Sequence, residues 1–104
     1  MAKTILTEYD EYCIFCGKPT GTDHHLIFGR AHRRLADEDG LTVPACAECH
    51  TSGPVKCRIH DNPMAEKLSK MLGQMAYEKK QVANGCTEKE AREKFRKRYG
   101  LSYF

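Results

Sequence analysis

Two short pairs, Cys13-Ile-Phe-Cys16 and Cys46-Ala-Glu-Cys49, constrain this chain more than any other feature. Two Cys-x-x-Cys knuckles can close one tetrahedral zinc site with four thiolates, so the segments carrying them must meet in space. Histidines are interleaved with the knuckles: Asp23-His24-His25 follows the first, His50 directly follows Cys49, and His60 and Asn62 come shortly after. A four-thiolate site leaves these imidazoles over, and a purely structural zinc ribbon needs neither a His doublet nor a His beside its last Cys. A Cys3His site with one thiol spare is the alternative arrangement.

At 104 residues the chain is expected to form a single domain, 1–104, near the size at which a structural metal usefully supplements a small core. No apolar signal segment follows Met1-Ala2-Lys3, which points to the cytoplasm and to the paired Cys-x-x-Cys knuckles as metal ligands rather than disulfides. Cys57 and Cys86, outside the knuckles, read as ordinary thiols. No apolar stretch approaches the ~20 residues of a membrane helix, so no membrane partner is expected.

The net charge of +3 is mild, but its distribution is uneven. Arg30, Arg33 and Arg34 cluster in the middle, while Lys89, Arg92, Lys94, Arg96, Lys97 and Arg98 crowd the C-terminal end. Such patches suit a polyanionic partner. The C-terminal cluster reads equally well as a solvated helix face paired with Glu88, Glu90 and Glu93. His32, within Arg30-Ala-His32-Arg33-Arg34, reads as part of the same phosphate-contacting strip.

The pattern predicts an α+β chain in three parts: an arm (1–12), a knuckle core (13–60) and a helical extension (61–104). In the arm, Ile5, Leu6, Tyr9 and Tyr12 are available to dock on the body. His24 to Gly29 reads as one strand and Leu41 to Ala45 as a second, forming a β-hairpin between the knuckles, with a helical turn or basic loop at 31–37. Asn62-Pro63 opens a helix in which Met64, Leu68, Met71, Leu72, Met75 and Ala76 recur at helical spacing, a stripe expected to face the core. Asn84-Gly85 stops it. Thr87-Glu-Lys-Glu90 is a capping box for a last helix with Ala91, Phe95 and Tyr99 inward, ended by Gly100; Leu101 to Phe104 can fold back on the body.

These residues together resemble the zinc-knuckle branch of the HNH endonucleases, and in particular small HNH proteins of bacteriophages and prophages. The resemblance covers residues 13 to about 62 well and the C-terminal helices only loosely. It implies a small zinc-stabilised ββα-metal core followed by two helices, and metal-dependent hydrolysis of DNA phosphodiester bonds in a bacterial host cytoplasm. Residue by residue, it makes His25 the general base, His24 and His50 ligands of a catalytic divalent cation (Mg2+, Mn2+, Ni2+ or Zn2+), and His60 a third ligand if its loop folds back. Cys13, Cys16, Cys46 and Cys49 would hold a separate structural Zn2+. Asp23 becomes the ligand, and His24 the base, if the register shifts by one. Arg30, Arg33 and Arg34 would bind the nucleic-acid backbone.

The chain departs from the family pattern in two places. No Asn stands in Asp39-Gly40-Leu41-Thr42-Val43, where the family carries a residue that orients the base; Asn62 and His32 are the candidates to replace it. The stretch Thr51 to Ile59 lengthens the path from His50 to His60.

Three classes of function follow. One is the nuclease, for which two-strand cleavage would require a homodimer or two encounters. Another is a non-catalytic, zinc-stabilised module that binds nucleic acid or a nucleotide. The third is a protein-interaction module that docks through the methionine-bearing helix, which an exposed stripe along Met64, Leu68, Met71 and Met75 would favour.

Overall fold

The structure, a computed structural model, describes residues 3–104; Met1 and Ala2, the start of the expected arm, lie outside the described residues. The elements run β1 (Asp23–His25), α1 (His32–Glu38), β2 (Thr42–Pro44), a π-helical turn (Glu48–Ser52), a 3-10 turn (Val55–Cys57), α2 (Pro63–Ala83) and α3 (Glu88–Tyr99). Among the described residues, no helix is long and apolar enough to cross a membrane.

The strands pair antiparallel, with Asp23 opposite Pro44, His24 opposite Val43 and His25 opposite Thr42. Flanking bonds from Leu26 N–H to the Leu41 carbonyl (2.9 Å) and from Ala45 N–H to the Thr22 carbonyl (3.0 Å) extend the ladder at both ends. The first strand is shorter than the expected His24 to Gly29. Leu26 and Ile27 are both fully buried, so the chain must turn there: a continuing strand would send one of two neighbouring side chains to the opposite face. Between the strands lies helix α1, which buries Ala36; Arg33 and Arg34 on it, and Arg30 just before it, are exposed.

The arm docks through Ile5 and Leu6, and Ile5 N–H donates to the Gly40 carbonyl at 2.9 Å. Gly40 sits at φ +72°, and a Cβ there would lie 2.5 Å from the Lys3 carbonyl oxygen, so the arm's approach requires glycine. Tyr9 and Tyr12 do not dock; they are 75% and 48% exposed.

Helix α2 begins as its sequence indicates, with Asn62 Oδ1 accepting from Ala65 N–H and Pro63 in the first turn. Its orientation is the main correction. Met64, Leu68, Leu72 and Met75 are exposed, while Ser69, Gly73, Gln74 and Tyr77 form the buried face. The reason is close packing: a Cβ at Gly73 would lie 2.8 Å from Ile27 Cγ1 and 3.1 Å from Leu26 Cβ, so only the small-residue face can approach this near.

Helix α3 carries the capping box at Thr87 and Glu90, ends at Gly100 in the left-handed region, and buries Ala91, Phe95 and Tyr99. Phe95 stacks on Tyr99 with centroids 4.5 Å apart and meets Tyr77 of α2 edge-on at 5.5 Å. The tail folds back: Tyr103 N–H donates to Gln74 Oε1 at 2.7 Å, and its ring packs against the core. The three arginines of the C-terminal basic cluster are paired, Arg92 with Glu78 (2.8 Å), Arg96 with Glu93 (2.5 Å) and Arg98 with Asp39 (2.6 Å).

Candidate metal centres

The first knuckle is held to the hairpin by Ile14 N–H donating to the Pro44 carbonyl at 2.9 Å. β2 then leads into Cys46, and the two knuckles meet. One sulfur from each of Cys13, Cys16, Cys46 and Cys49 lies within 4.8 Å of all the others, with Cys16 and Cys46 Sγ 3.6 Å apart. Four donors around a metal–sulfur bond of about 2.3 Å stand roughly 3.8 Å apart, so this cluster could hold one metal ion. Burial raises the Cys13 thiol, but N–H groups of Cys46, Cys16 and Phe15 outweigh it and bring the thiol down to about 6. Burial and the neighbouring thiols push Cys49 up, the behaviour of sulfurs too close to be charged together without a cation.

The π-helical turn carries Cys49 and His50 in succession and so divides them between two clusters. One ring nitrogen from each of His24, His50 and His60 lies within 4.8 Å of the other two, a second set that could hold a metal ion. The long Thr51 to Ile59 stretch does not spread this cluster apart. Ile59 N–H donates to the Cys49 carbonyl (3.0 Å) and His60 N–H to the His50 carbonyl (3.1 Å), which folds the loop back. Arg58 clamps it from inside by donating to the carbonyls of Gly53 and His60, both at 2.9 Å.

His24 is 1% exposed, and its Nε2 lies 2.7 Å from Ser69 Oγ of α2. Ser69 spends its one proton on the Leu26 carbonyl at 2.8 Å, so the hydroxyl accepts from His24 Nε2–H. That fixes the tautomer and leaves Nδ1 with a bare lone pair, buried and without a hydrogen-bond partner among the described residues. Burial, then the charges of His50, His60 and His25, lower His24 to about 3, so this ring stays neutral and keeps its donor lone pair. His60 and His50 face each other with Nε2 atoms 2.9 Å apart, and His60 Nδ1 lies 3.5 Å from Glu66 Oε2. Burial first, then His60, His25 and Arg33, also lowers His50. A buried neutral imidazole with an orphaned nitrogen, beside two more imidazoles of which one is backed by a carboxylate, is a donor set suited to a divalent cation.

His25 points elsewhere, as strand alternation requires. With Arg30, Arg33, Arg34 and Asp37 it lines one pocket of about 370 Å³, and its Nε2 lies 3.2 Å from Asp37 Oδ1. Asp23 is exposed and outside the histidine cluster. His32 does not belong to the basic strip: its Nε2 is bound to the Tyr99 carbonyl at 2.8 Å, tying α1 to α3. Asn62 is engaged by Ala65 N–H and the Val55 carbonyl, so neither expected stand-in for the missing Asn serves His25. Of the two remaining thiols, Cys57 is exposed and Cys86 half-buried.

Three polar residues of these sites escape the sequence reading: Ser69, Glu66 and Asp37. The only trace of Ser69 is a polar residue beside, rather than on, the apolar stripe of its helix. Glu66 and Asp37 look like ordinary members of charged helix faces. No family model matches the chain, and neither a curated protein nor a solved structure matches it.

Proposed function

We propose that this protein is a metal-dependent endonuclease of the HNH type, hydrolysing DNA phosphodiester bonds. In this reading Cys13, Cys16, Cys46 and Cys49 hold a structural Zn2+ that joins the two knuckles, and His24, His50 and His60 hold a second divalent cation. The observation that carries it is the buried, unpartnered Nδ1 of His24 beside the close His50–His60 pair. Burying a polar nitrogen without a partner is costly, and a bound cation removes that cost.

His25 is the general base. A neutral imidazole suits the removal of a proton from water near pH 7, and Arg30, Arg33 and Arg34 around it would hold a phosphate by its oxygens. The second cation, when bound, neutralises charge on the pentacoordinate transition state and on the leaving oxygen. The exposed Met64, Leu68 and Met75 stripe supports an additional reading, in which α2 also docks the protein on another protein.

The test is nicking of supercoiled plasmid with added divalent metals. Wild type should nick, and His25→Ala should retain metal and DNA binding yet lose about two or more orders of magnitude in rate, the scale of a lost general base. His24→Ala should lose the second cation and keep the zinc. A wild type that binds DNA tightly and never nicks it with any divalent metal would leave a binding module instead.

A further inference from the structure

We propose that Asp37 is the positioning residue for His25, locking it as the Nε2–H tautomer so that Nδ1 is the nitrogen that takes the proton. The inference rests on the nuclease reading above. It begins from a gap: the stretch Asp39 to Val43 holds no Asn, Asn62 is spent on capping α2, and His32 is spent on the Tyr99 carbonyl. His25 is nonetheless held. Its Nε2 lies 3.2 Å from Asp37 Oδ1, the two side chains being 14% and 29% exposed.

A carboxylate only accepts, so this contact places the His25 proton on Nε2. Asp37 sits on α1 next to Ala36, which is fully buried and anchors that turn of the helix. Its side chain therefore projects from a fixed backbone, as an orienting group must. Arg30, Arg33 and Arg34 line the same pocket, so the negative charge of Asp37 is offset and a phosphate group is not repelled. In the reaction the attacking water gives one proton to His25 Nδ1, its oxygen forms the new bond to phosphorus, and the P–O3′ bond breaks with its electron pair on O3′. The Asp37 contact also stabilises the imidazolium that this step creates.

The experiment compares wild type, Asp37→Ala and Asp37→Asn, each first checked for unchanged zinc content and folding. Plasmid nicking is measured with Mn2+ over a range of DNA concentrations, and long-range nitrogen–proton NMR reads the His25 tautomer at a pH where the ring is neutral. Asp37→Ala should lower kcat by on the order of 10–100-fold with KM and Mn2+ affinity little changed. Asp37→Asn, which has no charge to stabilise the imidazolium and can turn its NH2 toward Nε2, should not restore the rate. In the spectrum, His25 should be Nε2–H in wild type and lose that preference in both variants. Full-rate nicking by Asp37→Ala, or an unchanged tautomer in it, overturns the role of Asp37 and leaves the nuclease reading standing. A wild type that fails to nick whichever divalent metal is added overturns the nuclease reading, and with it the proton transfer assigned to His25.

Discussion

Ser69→Ala is the sharpest probe of the histidine cluster, because a single hydroxyl sets which nitrogen His24 offers. Ser69 Oγ makes two bonds, 2.7 Å from His24 Nε2 and 2.8 Å from the Leu26 carbonyl, and both partners are 1% exposed. Removing it strands two buried polar groups at about 1–3 kcal/mol each, a loss of roughly 2–6 kcal/mol. The alanine returns roughly half a kcal/mol of helix propensity. His24 can relieve part of this cost by moving its proton to Nδ1, but the nitrogen left for a cation is then protonated. The variant should therefore melt well below wild type, and its affinity for a second divalent ion should fall about 10–100-fold, as for other lost outer partners of metal-bound histidines. Calorimetric titration with Mn2+ or Ni2+ reads the affinity, and elemental analysis should still find the thiolate-bound zinc. Wild-type affinity for the second cation in a folded Ser69→Ala protein would refute the tautomer argument.

Cys13→Ser should lose the zinc and unfold the knuckle segment, seen as missing metal by elemental analysis and lost near-UV dichroism. Structural zinc in small domains contributes about 10–16 kcal/mol, comparable to the whole stability of a domain, ~5–15 kcal/mol. Gly73→Ala gains about 1 kcal/mol of helix propensity but drives a methyl group against Ile27 and Leu26, at about 1–3 kcal/mol for overpacking. Its unfolding midpoint in urea should not rise, and a clear increase would mean that α2 can back away. Neutralising Arg30, Arg33 and Arg34 together should weaken DNA binding on all sequences alike and flatten its dependence on salt, measured by fluorescence anisotropy. An unchanged salt slope would leave the strip a solvated surface.

What the sequence by itself determined is local. Asn62-Pro63 and Thr87-x-x-Glu90 set helix starts, and Gly100 set a helix end, because each depends on residues within a turn or two of one another. The one long-range exception is the thiolate cluster, legible because two Cys-x-x-Cys pairs supply the four sulfurs of one tetrahedral site. The meeting of His24, His50 and His60 was expected only on condition that the loop to His60 folds back; the bonds from Ile59 and His60 N–H to the backbone of the preceding turn meet that condition. Which face of α2 is buried was decided by the tertiary structure. The apolar stripe has the right period, but only the Ser69–Gly73–Tyr77 side lets the helix backbone come within van der Waals reach of Leu26 and Ile27. Tertiary packing also chose the polar partners of the two histidines of β1. Ser69 reaches His24 from a helix far along the chain, and Asp37 reaches His25 from α1, contacts that no spacing in the sequence encodes.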